Sequence, residues 1–276
     1  MLEYIKAIIL GIVEGVTEWL PISSTGHMIL LDELVSLNVS DGFLEMFLVV
    51  IQLGAIMAVP TLFWNKLYPF SRGKNKSERN ACITLWIKVI VGALPAALFG
   101  VLLDDILNAY LYTPTVVAIT LIAYGIAFIV VEHINEKRNK PFRINSIEEL
   151  TYKDALVIGS FQVLSLIPGT SRSGSTILGG IMTGVSRTVA AEFSFFMAIP
   201  IMLGASGLKI LKLILSGVSV SGGELLLLIV GMIVAYIVSV LIIKLLMDFV
   251  KKNSFSVFGL YRIVLGAAVI LFFALR

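Results

Sequence analysis

The sequence predicts an all-α integral membrane protein with an inverted-topology repeat, in which each half holds one re-entrant helical hairpin and three transmembrane helices. Of its 276 residues, 58% are hydrophobic and only 14% are charged, whereas about a quarter of the residues in a soluble domain are charged. Six apolar runs are long enough to cross a bilayer. Two further apolar stretches are each interrupted by a proline and a polar turn, and they recur at the same place in the two halves.

The first interrupted stretch opens the chain, where two predicted helical pieces, 2–20 and 24–37, flank Pro21. Neither piece comfortably supplies the roughly 20 apolar residues that a transmembrane helix needs. The segment EGVTEWLPISSTGH at 14–27 adds carboxylates, hydroxyls and a histidine to this apolar context. Backbone that turns at membrane depth is tolerated only where it is buried in protein or lines a water-filled cavity. The sequence therefore predicts a re-entrant hairpin whose polar residues face the protein interior.

The predicted transmembrane helices form two groups of three, one after each interrupted stretch. They are 43–64, 84–103, 114–132, 188–211, 224–246 and 256–275. The second interrupted stretch is 154–180, which Pro168 and Gly169 break. Asp104 and Asp105 are predicted to open a short loop after the second of these helices.

The two halves repeat each other at a fixed distance along the chain. Pro21 and Pro168 are 147 residues apart (168 − 21), and Glu45 and Glu192 are separated by the same distance (192 − 45). A re-entrant hairpin returns to its own side of the membrane, so three spans, an odd number, invert the second half. Interrupted helices at matching places in inverted repeats predict a site near the membrane midplane.

The distribution of lysine and arginine predicts the orientation. These residues are concentrated in the connections 65–80, 133–153 and 247–253, which the positive-inside rule places in the cytoplasm, with both termini outside. The net charge is only +3 and its basic residues sit in loops, so nucleic-acid binding is not expected. We predict a single membrane domain, made of a first repeat at 1–135 and a second at 152–276.

The second polar turn, PGTSRSGS, places Arg172 among small hydroxyl residues directly before an apolar helix. An arginine fork, hydroxyls and a helix N-terminus together favour an anion, and a phosphate suits such a site best. Arg172 is therefore a predicted catalytic residue, and Ser171, Ser173 and Gly174 are predicted to bind the substrate.

The first polar turn offers carboxylates. Glu14 and Glu18 are four residues apart, so on a helix they share one face. Such a pair is able to hold a divalent cation or to transfer a proton. Oxygen ligands favour Mg²⁺ or Ca²⁺ over zinc. We expect both residues to be metal ligands and Glu18 to be catalytic as well.

The same turn also offers a nucleophile. His27 lies three residues after Ser24, and two assignments remain open. Either Ser24 attacks phosphorus with His27 as its base, which we favour, or His27 attacks phosphorus directly and Ser24 only donates a hydrogen bond to the phosphate. The remaining residues of the turn, Ser23, Thr25 and Gly26, are predicted to bind the substrate.

Together the two turns would supply a cation, an arginine, a nucleophile and an acid/base group around one anion, which are the parts that phosphoryl transfer needs. A site inside the membrane suits a phosphate carried by a lipid. The rival hypothesis is a transporter or flippase of a lipid phosphate or another anion, because inverted repeats with interrupted helices are a common carrier architecture. A carrier needs no nucleophile, so the serine, the histidine and the glutamate pair favour an enzyme.

At these residues the sequence resembles the bacterial undecaprenyl-pyrophosphate phosphatase family, whose members confer bacitracin resistance. The resemblance rests on EGVTEWLPISSTGH at 14–27 and PGTSRSG at 168–174. It extends to LEMFLVVIQLG at 44–54 and MTGVSRTVAAEFSFFMAIP at 182–200, and it covers essentially the whole chain.

The resemblance assigns the family's motifs to the residues already singled out. The glutamate-rich motif falls on Glu14 and Glu18, and the arginine motif on Arg172. The serine–histidine element falls on Ser24 and His27. The resemblance implies release of inorganic phosphate from the C55 lipid diphosphate, with a divalent cation, on the extracytoplasmic side of the bacterial cytoplasmic membrane. This reaction would recycle the lipid carrier for cell-wall synthesis. The expected partners are undecaprenyl diphosphate and membrane lipids, and both a monomer and a homodimer remain open.

Overall fold

The chain folds into helices joined by turns and loops in the part that the computed structural model describes, which is residues 1–32, 35, 37–138, 141–217 and 220–275. These residues form twelve α-helices and one short 3₁₀ turn, Leu164–Leu166, and their one β contact is a bridge between Ile144 and Val185. The helices are α1 (Leu2–Thr17), α2 (Ser24–Asp32), α3 (Asp41–Ile56), α4 (Ala58–Leu62), α5 (Trp64–Leu67), α6 (Lys76–Leu111), α7 (Pro114–Arg138), α8 (Tyr152–Val163), α9 (Arg172–Met182), α10 (Arg187–Leu215), α11 (Gly222–Val250) and α12 (Ser256–Ala274). The predicted all-α class is confirmed for these residues.

Six segments of the described chain are long and apolar enough to cross a membrane. They are Gly42–Leu62, Lys76–Leu103, Pro114–Lys137, Arg187–Leu215, Gly222–Val250 and Ser256–Ala274. Each overlaps one of the six predicted spans. The chain is therefore a multi-span helical membrane protein, as its composition predicts.

The prediction of a loop that begins at Asp104 and Asp105 is wrong, because α6 continues to Leu111. Aspartate is a modest helix former that does not terminate a helix in the way that proline does. The helix instead ends shortly before Pro114, where α7 begins, as expected from the bias of the residue before a proline away from helical backbone.

Other helix ends differ from the prediction as well. Helix α6 begins at Lys76 rather than at 84, because Asn75 and Glu78 form a capping box that satisfies its first N–H groups. The first helical piece, predicted to run to residue 20, ends at Thr17. The second, predicted at 24–37, is described as a helix to Asp32, and residues 33, 34 and 36 of that prediction lie outside the described residues.

The two interrupted helices α1 and α8 pack closely against long helices of the opposite half of the chain. Helix α1 packs on α11, and α8 packs on α6. A Cβ atom added at Gly15 would lie 2.8 Å from the carbonyl oxygen of Ala235, and one added at Gly159 would lie 2.0 Å from that of Gly92. Glycine is therefore required at both positions, because any side chain would force the helix backbones apart.

A cluster of aromatic residues supports the break between α1 and α2. Trp19 follows α1 and is fully buried, and its ring meets Phe195 of α10 edge-on at a centroid distance of 5.3 Å. Phe193 and Phe196 of α10 are also fully buried. Burying a large aromatic side chain contributes about 1.5–3 kcal/mol, so this packing fixes the position of the backbone that carries the neighbouring polar residues.

Candidate active site

Both interrupted stretches contain a serine with an uncommon backbone conformation. Among the described residues other than glycine, only Ser23 (φ 74°) and Ser171 (φ 69°) have φ in the left-handed region. Each serine immediately precedes a helix, α2 or α9. This region costs a non-glycine residue about 1–2 kcal/mol, and such strain concentrates at functional sites. The two breaks are thus built alike, 148 residues apart (171 − 23).

The same two serines cap the helices that follow them. Ser23 Oγ accepts a hydrogen bond from the Gly26 N–H at 3.3 Å, and Ser171 Oγ accepts one from the Gly174 N–H at 3.1 Å. In the structure these four residues form the caps, and the substrate contacts that the sequence predicts for them stay a prediction. Each cap fixes one helix N-terminus, the end of a helix that favours anions.

An ion pair joins the two breaks. Arg172 Nη2 donates to Glu18 Oε1 at 3.0 Å, and both side chains are about a tenth exposed. Arg172 Nη1 donates to the carbonyl and the hydroxyl of Ser194, at 2.8 and 3.3 Å. The guanidinium also lies 5.8 Å from the centre of the Trp19 ring. Residues 154 positions apart in the chain are therefore brought into direct contact, as the predicted face-to-face arrangement of the turns requires.

A cavity of about 180 Å³ opens at this ion pair. Six predicted site residues line it: Glu18, Ser23, Ser24, Thr25, Ser171 and Arg172. Gln52 of α3 and Ser165 of the 3₁₀ turn also line it, and neither was among the predicted site residues. Polar residues at matching places after each break therefore do converge, and α3 adds the amide of Gln52, a polar residue of the first predicted span.

Ser24 is paired with a carboxylate rather than with the predicted histidine. Its Oγ donates to Glu18 Oε2 at 3.3 Å. The Nδ1 atom of His27 lies 2.7 Å from the carbonyl oxygen of Ser23, and its Nε2 lies 2.7 Å from the hydroxyl of Tyr261, on whose ring it stacks. A carbonyl oxygen only accepts, so Nδ1 carries a proton, and in the neutral ring Nε2 accepts from the tyrosine. Ser24 and His27 thus have different partners in the structure, and neither is bonded to the other.

Ser173, which is predicted to bind substrate, ties the two breaks together. Its hydroxyl lies 3.2 Å from the carbonyl oxygens of both Glu18 and Leu20, and the residue is fully buried. Thr176, one turn further along α9, shares a hydrogen bond of 2.7 Å with Ser194. These contacts hold the start of α9 against the first break, which fixes the position of the arginine beside the glutamate.

Glu14 lies one helical turn before Glu18, whose N–H donates to the Glu14 carbonyl oxygen at 3.0 Å. The Glu14 side chain is buried, and its Oε1 atom has no hydrogen-bond partner among the described residues. Within the described part of the chain, no group of three or more His, Cys, Asp and Glu side chains is arranged to hold a metal ion. Mg²⁺ is commonly held by one or two carboxylates together with water and substrate phosphates, whereas Ca²⁺ takes about six to eight oxygen ligands. The pair with its unpartnered oxygen therefore fits Mg²⁺ better than Ca²⁺.

Arg262 of α12 is a residue of the site region that the sequence analysis missed. It is fully buried and donates to three backbone carbonyls: Nη1 to Pro21 at 3.1 Å, and Nη2 to Gly169 at 2.7 Å and Thr170 at 3.0 Å. One side chain thus binds the backbone of both breaks. The signal was present, because an ionisable residue inside an apolar span is by default a candidate for function.

Comparison with known proteins gives a family for this arrangement. The model of the family described as "Bacitracin resistance protein BacA" matches residues 7–268. A protein of Enterococcus faecalis named undecaprenyl-diphosphatase is 56% identical over 277 residues, covering 99% of this chain and 98% of that protein. Proteins of the same name from Desulfitobacterium hafniense and Acetivibrio thermocellus are 55% and 58% identical; they cover 100% and 99% of this chain, and the match spans 98% of each of them. The chain belongs to the bacitracin resistance protein BacA family.

Proposed function

We propose that this chain hydrolyses undecaprenyl diphosphate to undecaprenyl phosphate and inorganic phosphate. The names of its close relatives support this reaction. The structural observation that carries it is the contact chain Arg172–Glu18–Ser24 at the edge of the cavity. It puts an anion-binding cation, a proton acceptor and a hydroxyl nucleophile within hydrogen-bonding reach of one another. The reaction would return the lipid carrier to cell-wall synthesis, and its link to bacitracin resistance rests on the description of the family.

In the proposed reaction Ser24 attacks the terminal phosphorus of the diphosphate. Glu18 accepts the hydroxyl proton through the contact it already makes, and undecaprenyl phosphate leaves as the P–O bond of the anhydride breaks. A water molecule then hydrolyses the phosphoserine and releases inorganic phosphate.

A divalent cation belongs to the proposal, with Glu14 and Glu18 as its protein ligands. The buried, unpartnered oxygen of Glu14 supports this role, because such an atom calls for a partner. The cation would supply charge neutralisation for the transferring phosphoryl group. His27 has a positioning role here: held between Ser23 and Tyr261, it fixes the first turn of α2 beside the nucleophile.

The inverted repeat and its two re-entrant hairpins, α1–α2 and α8–α9, are also part of the proposal. Cross-half packing supports it, because each interrupted helix lies on the long helix of the other half. Two ion pairs support it as well. Glu45 pairs with Lys209 at 2.8 Å, and Glu192, its counterpart 147 residues on, pairs with Lys66 at 2.6 Å. We place the enzyme in the bacterial cytoplasmic membrane with its site open to the extracytoplasmic side.

The direct test of the function is phosphate release by the purified protein. Protein in detergent is incubated with undecaprenyl diphosphate and Mg²⁺, and inorganic phosphate and undecaprenyl phosphate are both measured. We expect the two products in equal amounts. Movement of intact lipid diphosphate across a vesicle membrane without phosphate release would instead indicate a carrier.

A further inference from the structure

A larger cavity, of about 660 Å³, lies apart from the candidate active site. It is bounded by α5, the connection between α5 and α6, the first four turns of α6 and residues 147–148. As far as the chain is described, the two cavities have no lining residue in common. The ionisable side chains of this larger cavity, which we call the basic cavity, are Lys66, Arg72, Lys74, Glu78, Cys82, Lys88 and Glu148.

Lys74 places an uncompensated positive charge on the basic cavity. Its ammonium group donates to the carbonyl oxygens of Asn65 and of Tyr68, the latter at 2.8 Å, and to the sulfur of Cys82 at 2.9 Å. The acceptors are two backbone carbonyls and a thiol, which are neutral groups, so they hold the ammonium in place without cancelling its charge. The connection between α5 and α6 is folded around this lysine.

Lys88 is the second fixed cation of the basic cavity. It is only 7% exposed and donates to the backbone carbonyl of Glu148 at 3.0 Å, again a neutral acceptor. Lys66 is already neutralised, because it pairs with a buried glutamate that does not line the cavity. The remaining lining residues carry three positive charges, on Lys74, Lys88 and Arg72, and two negative charges, on Glu78 and Glu148. The lining therefore has an excess of one positive charge (3 − 2). That excess matches a ligand with a single negative charge.

Ser71 provides an independent sign of a missing ligand. It lines the basic cavity, and its hydroxyl oxygen is buried without a hydrogen-bond partner among the described residues. Buried polar groups are nearly always hydrogen-bonded, so an unpartnered one needs an explanation. A phosphate oxygen placed between this hydroxyl and the Lys88 ammonium group would accept from both kinds of donor.

The surroundings of the basic cavity are those of a membrane–water interface. Trp64 and Tyr68 are stacked with centroids 4.5 Å apart, and both are partly exposed beside Phe70, which is 68% exposed. Tryptophan and tyrosine are enriched at the level of the lipid headgroups. Exposed Ile83 and Ile87 alternate on α6 with residues that line the cavity. A ligand in the cavity thus has apolar protein surface beside it, as an acyl chain requires.

We propose that the basic cavity binds the phosphodiester headgroup of an anionic phospholipid, with Ser71 and Lys88 as its donors and Lys74 as a fixed positive charge. A phosphodiester carries the single negative charge that the lining leaves uncompensated, and basic pockets between membrane helices are typical headgroup sites. The site is separate from the hydrolytic site and does not depend on the function proposed for it. Under the predicted orientation it faces the cytoplasmic leaflet.

Cys82, the only cysteine in the chain, lines the basic cavity and reports on its occupancy. The protein is placed in nanodiscs of phosphatidylcholine, with or without phosphatidylglycerol, and alkylation of the thiol by N-ethylmaleimide is followed by intact-mass spectrometry. We expect phosphatidylglycerol to slow alkylation. Inorganic phosphate added to phosphatidylcholine nanodiscs is expected to leave the rate unchanged; equal protection by phosphate would show a free-anion site and overturn the lipid assignment.

Two variants separate a built site from general attraction to a charged membrane. Ser71→Ala and Lys88→Gln should each need about tenfold more phosphatidylglycerol for half-maximal protection, because each loses a hydrogen bond to a charged group. Arg79 lies on α6, like Lys88, but it is exposed and does not line the cavity. Arg79→Gln removes its charge and should behave like the wild type. Ser71→Ala removes only an unpartnered oxygen, so its folding is secure even if that of Lys88→Gln is not. Equal protection in Ser71→Ala and Arg79→Gln, or no protection in the wild type, would overturn the proposal.

Discussion

Arg172 is held by three different kinds of contact, and this sets what it can do. Glu18 supplies a charge, Ser194 supplies a carbonyl and a hydroxyl, and Trp19 lies 5.8 Å from the guanidinium carbon. A planar guanidinium presents its donors as a rigid fork, whereas a lysine ammonium is a point charge. The arginine is thus oriented before substrate arrives, which lowers the cost of binding a diphosphate.

Arg172→Lys tests the fork at the residue scale. We expect kcat/KM to fall about a hundredfold, because two charge-assisted hydrogen bonds of about 1.5 kcal/mol each are lost while the charge stays. Phosphate release is measured with the purified variant, and gel filtration checks its folding. Arg79→Lys, at an exposed position away from the site, is the matched control and should keep full activity. Near-normal turnover of Arg172→Lys would mean that a point charge suffices.

The chemical character of the site could be predicted from local sequence, but the pairing of its side chains could not. Ser24 and His27 are three residues apart, which favoured a contact, yet each is bonded to a different neighbour: Glu18 before the break and Tyr261 on α12. Tyr261 is 234 positions away from the histidine, a separation that leaves no trace in a local pattern. Arg262 is a different case: its charge inside an apolar span was visible in the sequence, and only its partners in two distant turns were not.

At the scale of elements, α12 acts as a clamp on both breaks. Its Arg262 donates to the carbonyls of Pro21, Gly169 and Thr170. The guanidinium carbon of Arg262 lies 5.3 Å from the centre of the Tyr124 ring of α7. Carbonyls freed by a break in a helix need donors, and this one side chain supplies three hydrogen bonds. The relative position of the two catalytic turns therefore depends on a helix that contributes none of the predicted catalytic residues.

Arg262→Lys tests this positioning role. A lysine keeps the charge but cannot span carbonyls on both breaks, so we expect kcat to fall about tenfold or more for the loss of one to two hydrogen bonds. The thermal midpoint in detergent is measured alongside. If the role of Arg262 were purely structural, the variant would have a lower thermal midpoint and an unchanged kcat for its folded fraction. That result would contradict the positioning role.

Gly159→Ala tests the close packing of α8 on α6. A Cβ atom would lie 2.0 Å from the Gly92 carbonyl oxygen, a contact that backbone atoms cannot relieve without moving the helices. Overpacking of this kind costs about 1–3 kcal/mol, so we expect a clearly lower thermal midpoint and lower activity. Gly204→Ala in α10 is the matched control, because no heavy atom lies within 4 Å of the added carbon. A Gly159→Ala protein as stable as Gly204→Ala would show that the helices are packed less closely.

At the scale of the whole molecule, composition and periodicity predict the helical class and the six spans. The apolar runs carry that information directly, because the bilayer fixes their length. The family is confirmed as well. Helix ends were harder to predict: Asp104 and Asp105 suggested a loop, but polarity alone does not stop a helix whose backbone remains hydrogen-bonded. The inverted repeat stays a prediction, supported by cross-half packing and by the paired Glu–Lys contacts.

The orientation of the molecule is open to a labelling experiment. Asn75 and Ser221 are matched positions, since each is exposed and caps a long helix with a capping box. Each is replaced by cysteine in a Cys82→Ser background, and intact cells are treated with a membrane-impermeant maleimide. The positive-inside rule predicts labelling at position 221 and protection at 75. The reverse pattern would show that the orientation is wrong.

The central claim is that the two breaks form one site in which Ser24 attacks the terminal phosphorus. The most direct measurement is rapid quenching of the enzyme with undecaprenyl diphosphate labelled at that phosphorus, followed by acid and alkali treatment of the protein. We predict an acid-stable phosphoserine that maps to Ser24 and is absent from Ser24→Ala. An acid-labile, alkali-stable adduct that persists in Ser24→Ala would contradict the account in favour of His27, and the absence of any adduct during turnover would contradict it in favour of direct attack by water.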